Sequence, residues 1–298
     1  MLSQSVAGIV LESPLMLASG ILDQNGYTMK RVLESGAAAV VTKSIGVEPR
    51  EGYFPPIVSV FEGGLLNAVG LSNPGIIHIG TEISIAKEAG KPVIGSIFGA
   101  TPDEFLRLGS AMEDMKVSGV ELNLSCPHVK GVGAEVGSDP ALVKQIVSTL
   151  KGSLSIPVFS KLSPNVSSVL EIATAASDSD GLVLINTVKG MAVDIYARRP
   201  VLSNMYGGLS GPAIKPVGIR YVYEVKKELD PVIIGVGGIE TADDAIEYMM
   251  AGASAVQIGT ALMKHGISVF STIKKGVAEF LEKEGIKSVS EIVGVAVQ

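Results

Sequence analysis

Residues 231–262 read PVIIGVGGIETADDAIEYMMAGASAVQIGTAL. Two short apolar runs, Pro231–Gly238 and Ala255–Leu262, flank a segment with helical spacing. Runs of this kind, rich in β-branched residues and bounded by Gly or Pro, suit strands buried on both faces of a parallel sheet. Between them, Thr241 predicts an N-cap for a helix over Ala242–Ala251, and Gly252 a left-handed end to it. Strand, capped helix and strand make one parallel unit.

The unit recurs upstream. Further runs lie at Pro14–Gly20, Ala37–Ser44, Pro92–Gly99, Gly119–Pro127, Pro157–Pro164 and Gly181–Val188. Helical patterns fall between them, near Gly26–Ser35, Ile76–Ala89, Ser167–Ser177 and Ala213–Leu229, with a last one at Ile267–Glu284. Thr101-Pro-Asp-Glu104 reads as a capping box with proline at the first helical position. Asp139-Pro140 starts another helix, which stops near Gly152. Strand and helix alternate about eight times, which predicts an α/β fold of the (β/α)8 TIM-barrel type. A small hairpin around Val6–Leu11 is expected to cover the barrel bottom. No Pro/Ser-rich linker divides the chain, so residues 1–298 read as one domain. The long connections, Ile45–Pro74 and Met191–Gly211, follow strand C-termini, the face on which barrel active sites lie.

Composition narrows the function classes. Hydrophobic residues make up 47% and charged residues 18%, enough for a sizeable core and wrong for a disordered chain. A net charge of −6 without a basic run argues against nucleic acid. Cys126 is the sole cysteine, which excludes an internal disulfide and any multi-cysteine metal cluster. His78, which reads as helical, His128 and His265, near a helix start, share no metal-ligand spacing. No signal peptide or membrane-length apolar stretch is apparent, so a cytoplasmic protein is expected.

The strand ends carry polar residues that packing does not explain. Lys43 ends the second run, Asn123 and Cys126 the fourth, Lys161 the fifth, and Asn186 and Thr187 the sixth. All fall at the C-terminal mouth, where they can converge on one pocket. A lysine in an apolar run is costly unless an anion or hydrogen bonds compensate it. One such lysine also fits an internal ion pair; two favour an anionic ligand. Gly237-Gly238 and Gly259-Thr260 follow the last two strands, where barrels bind phosphate on backbone N–H groups. Cys126 lies in Asn123-Leu-Ser-Cys-Pro127 among polar neighbours, a context that suits a reactive thiol.

Taken together, these motifs resemble the class 1 dihydroorotate dehydrogenases. The likeness rests on Ala18-Ser-Gly20, Thr42-Lys-Ser44, Glu48-Pro-Arg-Glu-Gly52 and Asn67-Ala-Val-Gly-Leu-Ser-Asn-Pro-Gly75. It continues through Asn123-Leu-Ser-Cys-Pro127, Lys161-Leu-Ser-Pro-Asn165, Ile185-Asn-Thr187, Leu209-Ser-Gly-Pro-Ala-Ile-Lys-Pro216, Gly235-Val-Gly-Gly-Ile239 and Gln257-Ile-Gly-Thr-Ala261. The resemblance implies an FMN enzyme that oxidises (S)-dihydroorotate to orotate in pyrimidine biosynthesis. Cys126 would remove the C5 proton while C6 passes hydride to the flavin N5. Lys43, Asn67, Gly70, Leu71, Asn123, His128, Asn186 and Thr187 would bind substrate. Ala18, Ser19, Gly20, Lys43, Ser44, Ser96, Asn123, Lys161 and Ile185 would contact the flavin, with Lys161 near N1 and O2. Gly211, Gly237, Gly238, Gly259 and Thr260 would hold the phosphate. No metal is expected.

The sequence departs from the family pattern where His128 and Ser96 stand for the usual Asn residues, and where Tyr53-Phe-Pro-Pro-Ile57 replaces a polar stretch. Lys161-Leu-Ser-Pro-Asn165 and Ser210-Gly-Pro-Ala-Ile-Lys-Pro216 look like the class 1B catalytic subunit. That branch implies a homodimer of barrels, joined in a heterotetramer by a subunit carrying FAD and a [2Fe–2S] cluster that passes electrons to NAD. Alternatives are an oxidoreductase for another dihydropyrimidine, a phosphate-binding barrel isomerase or lyase without flavin, and a non-catalytic flavin scaffold.

Overall fold

The computed structural model describes residues 1–124 and 136–298. Its centre is a closed barrel of eight parallel strands. In chain order these are β1 (Leu15–Leu17), β2 (Ala39–Val41), β3 (Val93–Ile97), β4 (Gly119–Asn123), β5 (Val158–Lys161), β6 (Gly181–Leu184), β7 (Ile233–Val236) and β8 (Ala255–Ile258). Each pairs with its sequence neighbours, and β8 closes onto β1 through Val256 opposite Leu15 and Gln257 opposite Met16. The eight predicted runs each contain one barrel strand, although the strands are shorter than the runs.

The helices are α1 (Gly26–Glu34), α2 (Gly80–Lys87), α3 (Pro102–Asp114), α4 (Pro140–Lys151), α5 (Val169–Ala175), α6 (Lys215–Leu229), α7 (Ala242–Met250), α8 (Ala261–His265) and α9 (Val269–Lys283). Their starts follow the predicted chemistry. Asp139 accepts from the Ala141 and Leu142 amides, and Thr241 and Asp244 form a reciprocal capping box. At α3, Thr101 accepts from the Glu104 amide, but Glu104 reaches past the cap to the Ala100 amide at 2.7 Å. Gly252 ends α7 with φ +124°, as expected of a left-handed stop.

Two apolar layers hold the fold. One lies between strands and helices, with Leu15, Val40, Phe105, Val120, Ile146 and Phe270 among its buried members. The other fills the barrel with Met16, Ala39, Val41, Ile94, Phe159, Val183 and Ile234. The hairpin Gln4–Val6 and Ile9–Leu11 seals that interior at the bottom: Val6, Ile9 and Leu11 join the same cluster. A Cβ on Gly119, the first residue of β4, would stand 3.3 Å from Ile9 Cδ1.

The two long connections hold strands of their own. Val188–Met191, Tyr206–Ser210, Gly64–Asn67 and Val58–Phe61 pair, in that order, into a four-stranded antiparallel sheet. His78 lies in a turn before α2 rather than in a helix, because the helical hydrogen bonds begin only after it. His265 ends the short α8, four residues ahead of the first residue of α9. Among the described residues, no helix is long and apolar enough to cross a membrane, and no group of three or more His, Cys, Asp or Glu is placed to hold a metal ion.

Candidate active site

Parallel strands that all run one way place their C-terminal residues in one ring. At that mouth lies a cleft of about 300 Å³, within the size range of small-molecule sites. Its lining includes Ala18, Ser19 and Gly20 after β1, Lys43 and Ser44 after β2, and Asn123 and Lys161 at the ends of β4 and β5. Ile185, Asn186 and Thr187 follow β6, Gly237 and Gly238 follow β7, and Gly259 and Thr260 follow β8. The antiparallel sheet forms a further wall through Val58, Leu65, Asn67 and Ser210, beside Gly70, Leu71 and Gly211. Of the predicted site residues that the structure describes, Ser96 alone does not line the cleft. It is fully buried and shares a 2.9 Å hydrogen bond with Ser44 Oγ, so it supports the wall from behind. Cys126 and His128 lie outside the described residues.

The amide and hydroxyl groups form one chain. Asn123 Nδ2 donates to Ser44 Oγ at 3.0 Å, and Ser19 Oγ stands 3.4 Å from Ser44 Oγ. Asn186 Nδ2 approaches Asn123 Oδ1 at 3.5 Å, and its own Oδ1 accepts from the Thr187 amide at 2.7 Å. Asn67 Nδ2 donates to the carbonyl of Gly208, 141 residues further along the chain, which ties the two long connections together. Gly70 and Leu71 are consecutive residues with positive φ, 76° and 56°. A side chain at position 70 would meet the Tyr53 ring carbon Cδ2 at 2.7 Å, so only glycine fits there. Asn73 fixes this turn. Its Oδ1 accepts from the amides of Gly46 and Gly75, and its Nδ2 donates to the Leu71 carbonyl.

The two lysines differ. Lys161 Nζ is 3.3 Å from Glu121 Oε1 and donates to Gln257 Oε1 at 3.2 Å. Lys43 is 7% exposed, yet its Nζ makes no hydrogen bond or ion pair among the described residues. A buried ammonium without a hydrogen-bond acceptor is costly, and a ligand acceptor in the cleft offsets that cost. Nearby, burial pushes the Asp23 carboxyl above the ordinary carboxylate range; the charge of Lys43 and hydrogen bonds from the Gly20 amide and Ser19 oppose it.

The far end of the cleft suits a phosphate. The amides of Gly238, Gly259 and Thr260 donate to no acceptor among the described residues. Gly238 has φ +71°, and a Cβ there would sit 2.7 Å from the Gly211 carbonyl oxygen. A side chain would therefore fill the cradle. Lys215, next to it, is turned outward onto Asp244 at 2.6 Å and Glu247 at 2.9 Å. Backbone N–H groups, rather than a lysine, remain for the anion.

Asp23, Asn73, Glu121 and Gln257 escaped the reading of the sequence. Glu121 and Gln257 carried the same signal as Lys43, a polar residue at an inward position of an apolar run. Asp23 and Asn73 sit in loops and carry no comparable local signal.

The comparisons agree with this geometry. The family model described as dihydroorotate dehydrogenase matches residues 1–281. The chain is 61% identical, over 100% of its length and 99% of the relative's, to the protein of Thermoplasma volcanium named dihydroorotate dehydrogenase B (NAD(+)), catalytic subunit. It is 62% identical to the protein of that name in Thermoplasma acidophilum, with the same coverage. A third, in Pyrococcus furiosus, is 49% identical over 97% of this chain and 96% of its own.

Proposed function

The chain belongs to the dihydroorotate dehydrogenase family, and we propose that its cleft holds FMN and dihydroorotate together. It is a flavin-dependent oxidoreductase of the class 1B catalytic-subunit type, oxidising dihydroorotate to orotate in pyrimidine biosynthesis.

The observation that carries the reading is Lys43. Its buried ammonium lines the cleft beside Asn67, Asn123 and Asn186 and makes no hydrogen bond or ion pair among the described residues. A substrate carboxylate supplies the acceptor, and the asparagine amides match a ring that both donates and accepts. Another dihydropyrimidine without that carboxylate leaves Lys43 unpaired, which disfavours it as substrate. The glycine cradle and its free amides fit the ribityl phosphate. The apolar wall of Ala18, Ile185 and Val236 fits a flavin ring.

When bound, FMN supplies the hydride acceptor. The protein's share is binding, orientation and proton transfer. Lys43 and the asparagines orient the ring, the barrel floor excludes bulk water, and Cys126 takes the C5 proton as general base. Lys43→Ala is expected to raise the orotate dissociation constant at least tenfold, since a charge-assisted hydrogen bond is worth roughly 1.5–3 kcal/mol. A titration of the variant giving an unchanged constant would sink the carboxylate contact.

For electron flow we propose a homodimer of barrels joined to a subunit carrying FAD and a [2Fe–2S] cluster, with NAD as final acceptor. Large apolar side chains stand exposed on the two long connections: Val60 on the mouth-side sheet, Phe54 ahead of that sheet, and Ile195 and Tyr196 between the paired segments Val193–Asp194 and Arg199–Pro200. Apolar surface of that kind marks association sites.

A further inference from the structure

Glu121 on β4, Lys161 on β5 and Gln257 on β8 reach into the barrel interior from strands that do not all neighbour one another, and meet there. Gln257 Nε2 donates to Glu121 Oε2 at 2.6 Å, while its own Oε1 accepts from Lys161. The amide thus clamps both members of the ion pair. Glu121 and Gln257 are each 1% exposed, Lys161 6%, and all three line the floor of the cleft.

Such a pair is a poor way to gain stability. Desolvating two charges offsets most of their attraction, and apolar replacements of similar size often do as well. Glu121 Oε1 moreover has no hydrogen bond within the described residues, only the 3.3 Å approach of Lys161. An acceptor left short of donors in the floor of a ligand cleft calls for a role beyond packing.

We propose that Glu121 is a positioning residue that holds Lys161 and offsets its charge, and so sets the reduction potential of the bound flavin. The inference rests on the FMN reading above. A hydride brings two electrons and one proton, so the reduced cofactor carries one more negative charge than the oxidised one. A lone buried lysine would stabilise that charge strongly in a medium of low dielectric. The carboxylate beside it cancels much of that effect. The potential stays low enough for the electrons to leave again toward the next acceptor. Gln257 serves the same end by fixing the carboxylate in place without adding a charge.

The test is a spectroelectrochemical titration of the FMN-loaded enzyme, wild type against Glu121→Gln. The substitution keeps shape and removes the negative charge. The two-electron reduction equilibrium is expected to move at least tenfold toward the reduced form, about 30 mV upward. Reduced FMN should bind tighter, relative to oxidised FMN, by the same factor. Glu121→Asp keeps the charge but draws it back by one methylene; its shift should have the same sign and be smaller, which also serves if the glutamine variant does not fold. A merely structural role would lower the melting temperature and leave the potential in place. Potentials that stay put or fall in the variants that fold overturn the proposal. A wild-type chain that takes up no FMN overturns the cofactor reading, and this inference with it.

Discussion

Lys43, Asn123, Lys161, Asn186 and Thr187 could be singled out from the sequence because each breaks an apolar run at a strand's C-terminal end. The structure brings all five to one cleft. The same rule, applied to every polar residue in those runs, would have found Glu121 and Gln257, which are the partners of Lys161. Without them, Lys161 reads as free charge for a ligand; with them, Lys43 is the lysine whose partner must come from outside the described residues. Cys126 stands as the proposed base. Cys126→Ser is expected to retain FMN and fold and to slow turnover by two to four orders of magnitude, roughly the worth of general base catalysis, because a hydroxyl gives up its proton far less readily. Stopped-flow measurement of the reductive half-reaction checks it. A variant that reduces its flavin at the wild-type rate would remove Cys126 from that role.

At the scale of elements, the barrel was legible because each strand is buried on both faces and therefore reads as a mostly apolar run without the alternation of a half-exposed strand. The antiparallel sheet at the mouth was not. Its outer strand Val58–Phe61 is largely exposed, and Gly64–Asn67 pairs with Tyr206–Ser210 far along the chain. The local signal present was the two-residue turn Glu62-Gly63 between alternating strands. Caps were legible because their chemistry is local, and the one on α7 gives a pH prediction. Burial pushes the Asp244 carboxyl up, but hydrogen bonds from Lys215, the Glu240 and Thr241 amides and the Thr241 hydroxyl outweigh it, leaving its pKa below the ordinary 3.8. A lowered folded-state pKa means stability that is present above the ordinary value and lost as the pH falls through the folded one. Asp244→Asn should therefore destabilise the protein by about 1 kcal/mol near neutrality, the worth of a cap, and the gap should close in acid. Denaturant unfolding at several pH values checks this; a gap independent of pH would contradict it.

At the scale of the molecule, the large apolar side chains left exposed on the two long connections are the feature that composition could not reveal. Phe54 is 84% exposed and Tyr196 91%. Tyr196 sits between the paired segments Val193–Asp194 and Arg199–Pro200, and the Phe54 carbonyl accepts from the Ser203 hydroxyl, so their exposure belongs to a built surface. Ile195→Glu combined with Tyr196→Glu should weaken self-association or subunit assembly at least tenfold and leave FMN content unchanged. Sedimentation and flavin absorbance on the same sample separate the two effects. Assembly as tight as in the wild type would exclude these two side chains from the interface.

The claim on which the rest depends is that dihydroorotate delivers its electrons to a flavin held in this cleft. Its most direct test is the visible spectrum of the purified protein under anaerobic conditions, before and after dihydroorotate is added. The expected result is an oxidised-flavin spectrum that bleaches on addition and does not bleach with dihydrouracil, which lacks the carboxylate for Lys43. A flavin that stays oxidised with dihydroorotate, or a protein that takes up no FMN on reconstitution, would contradict it.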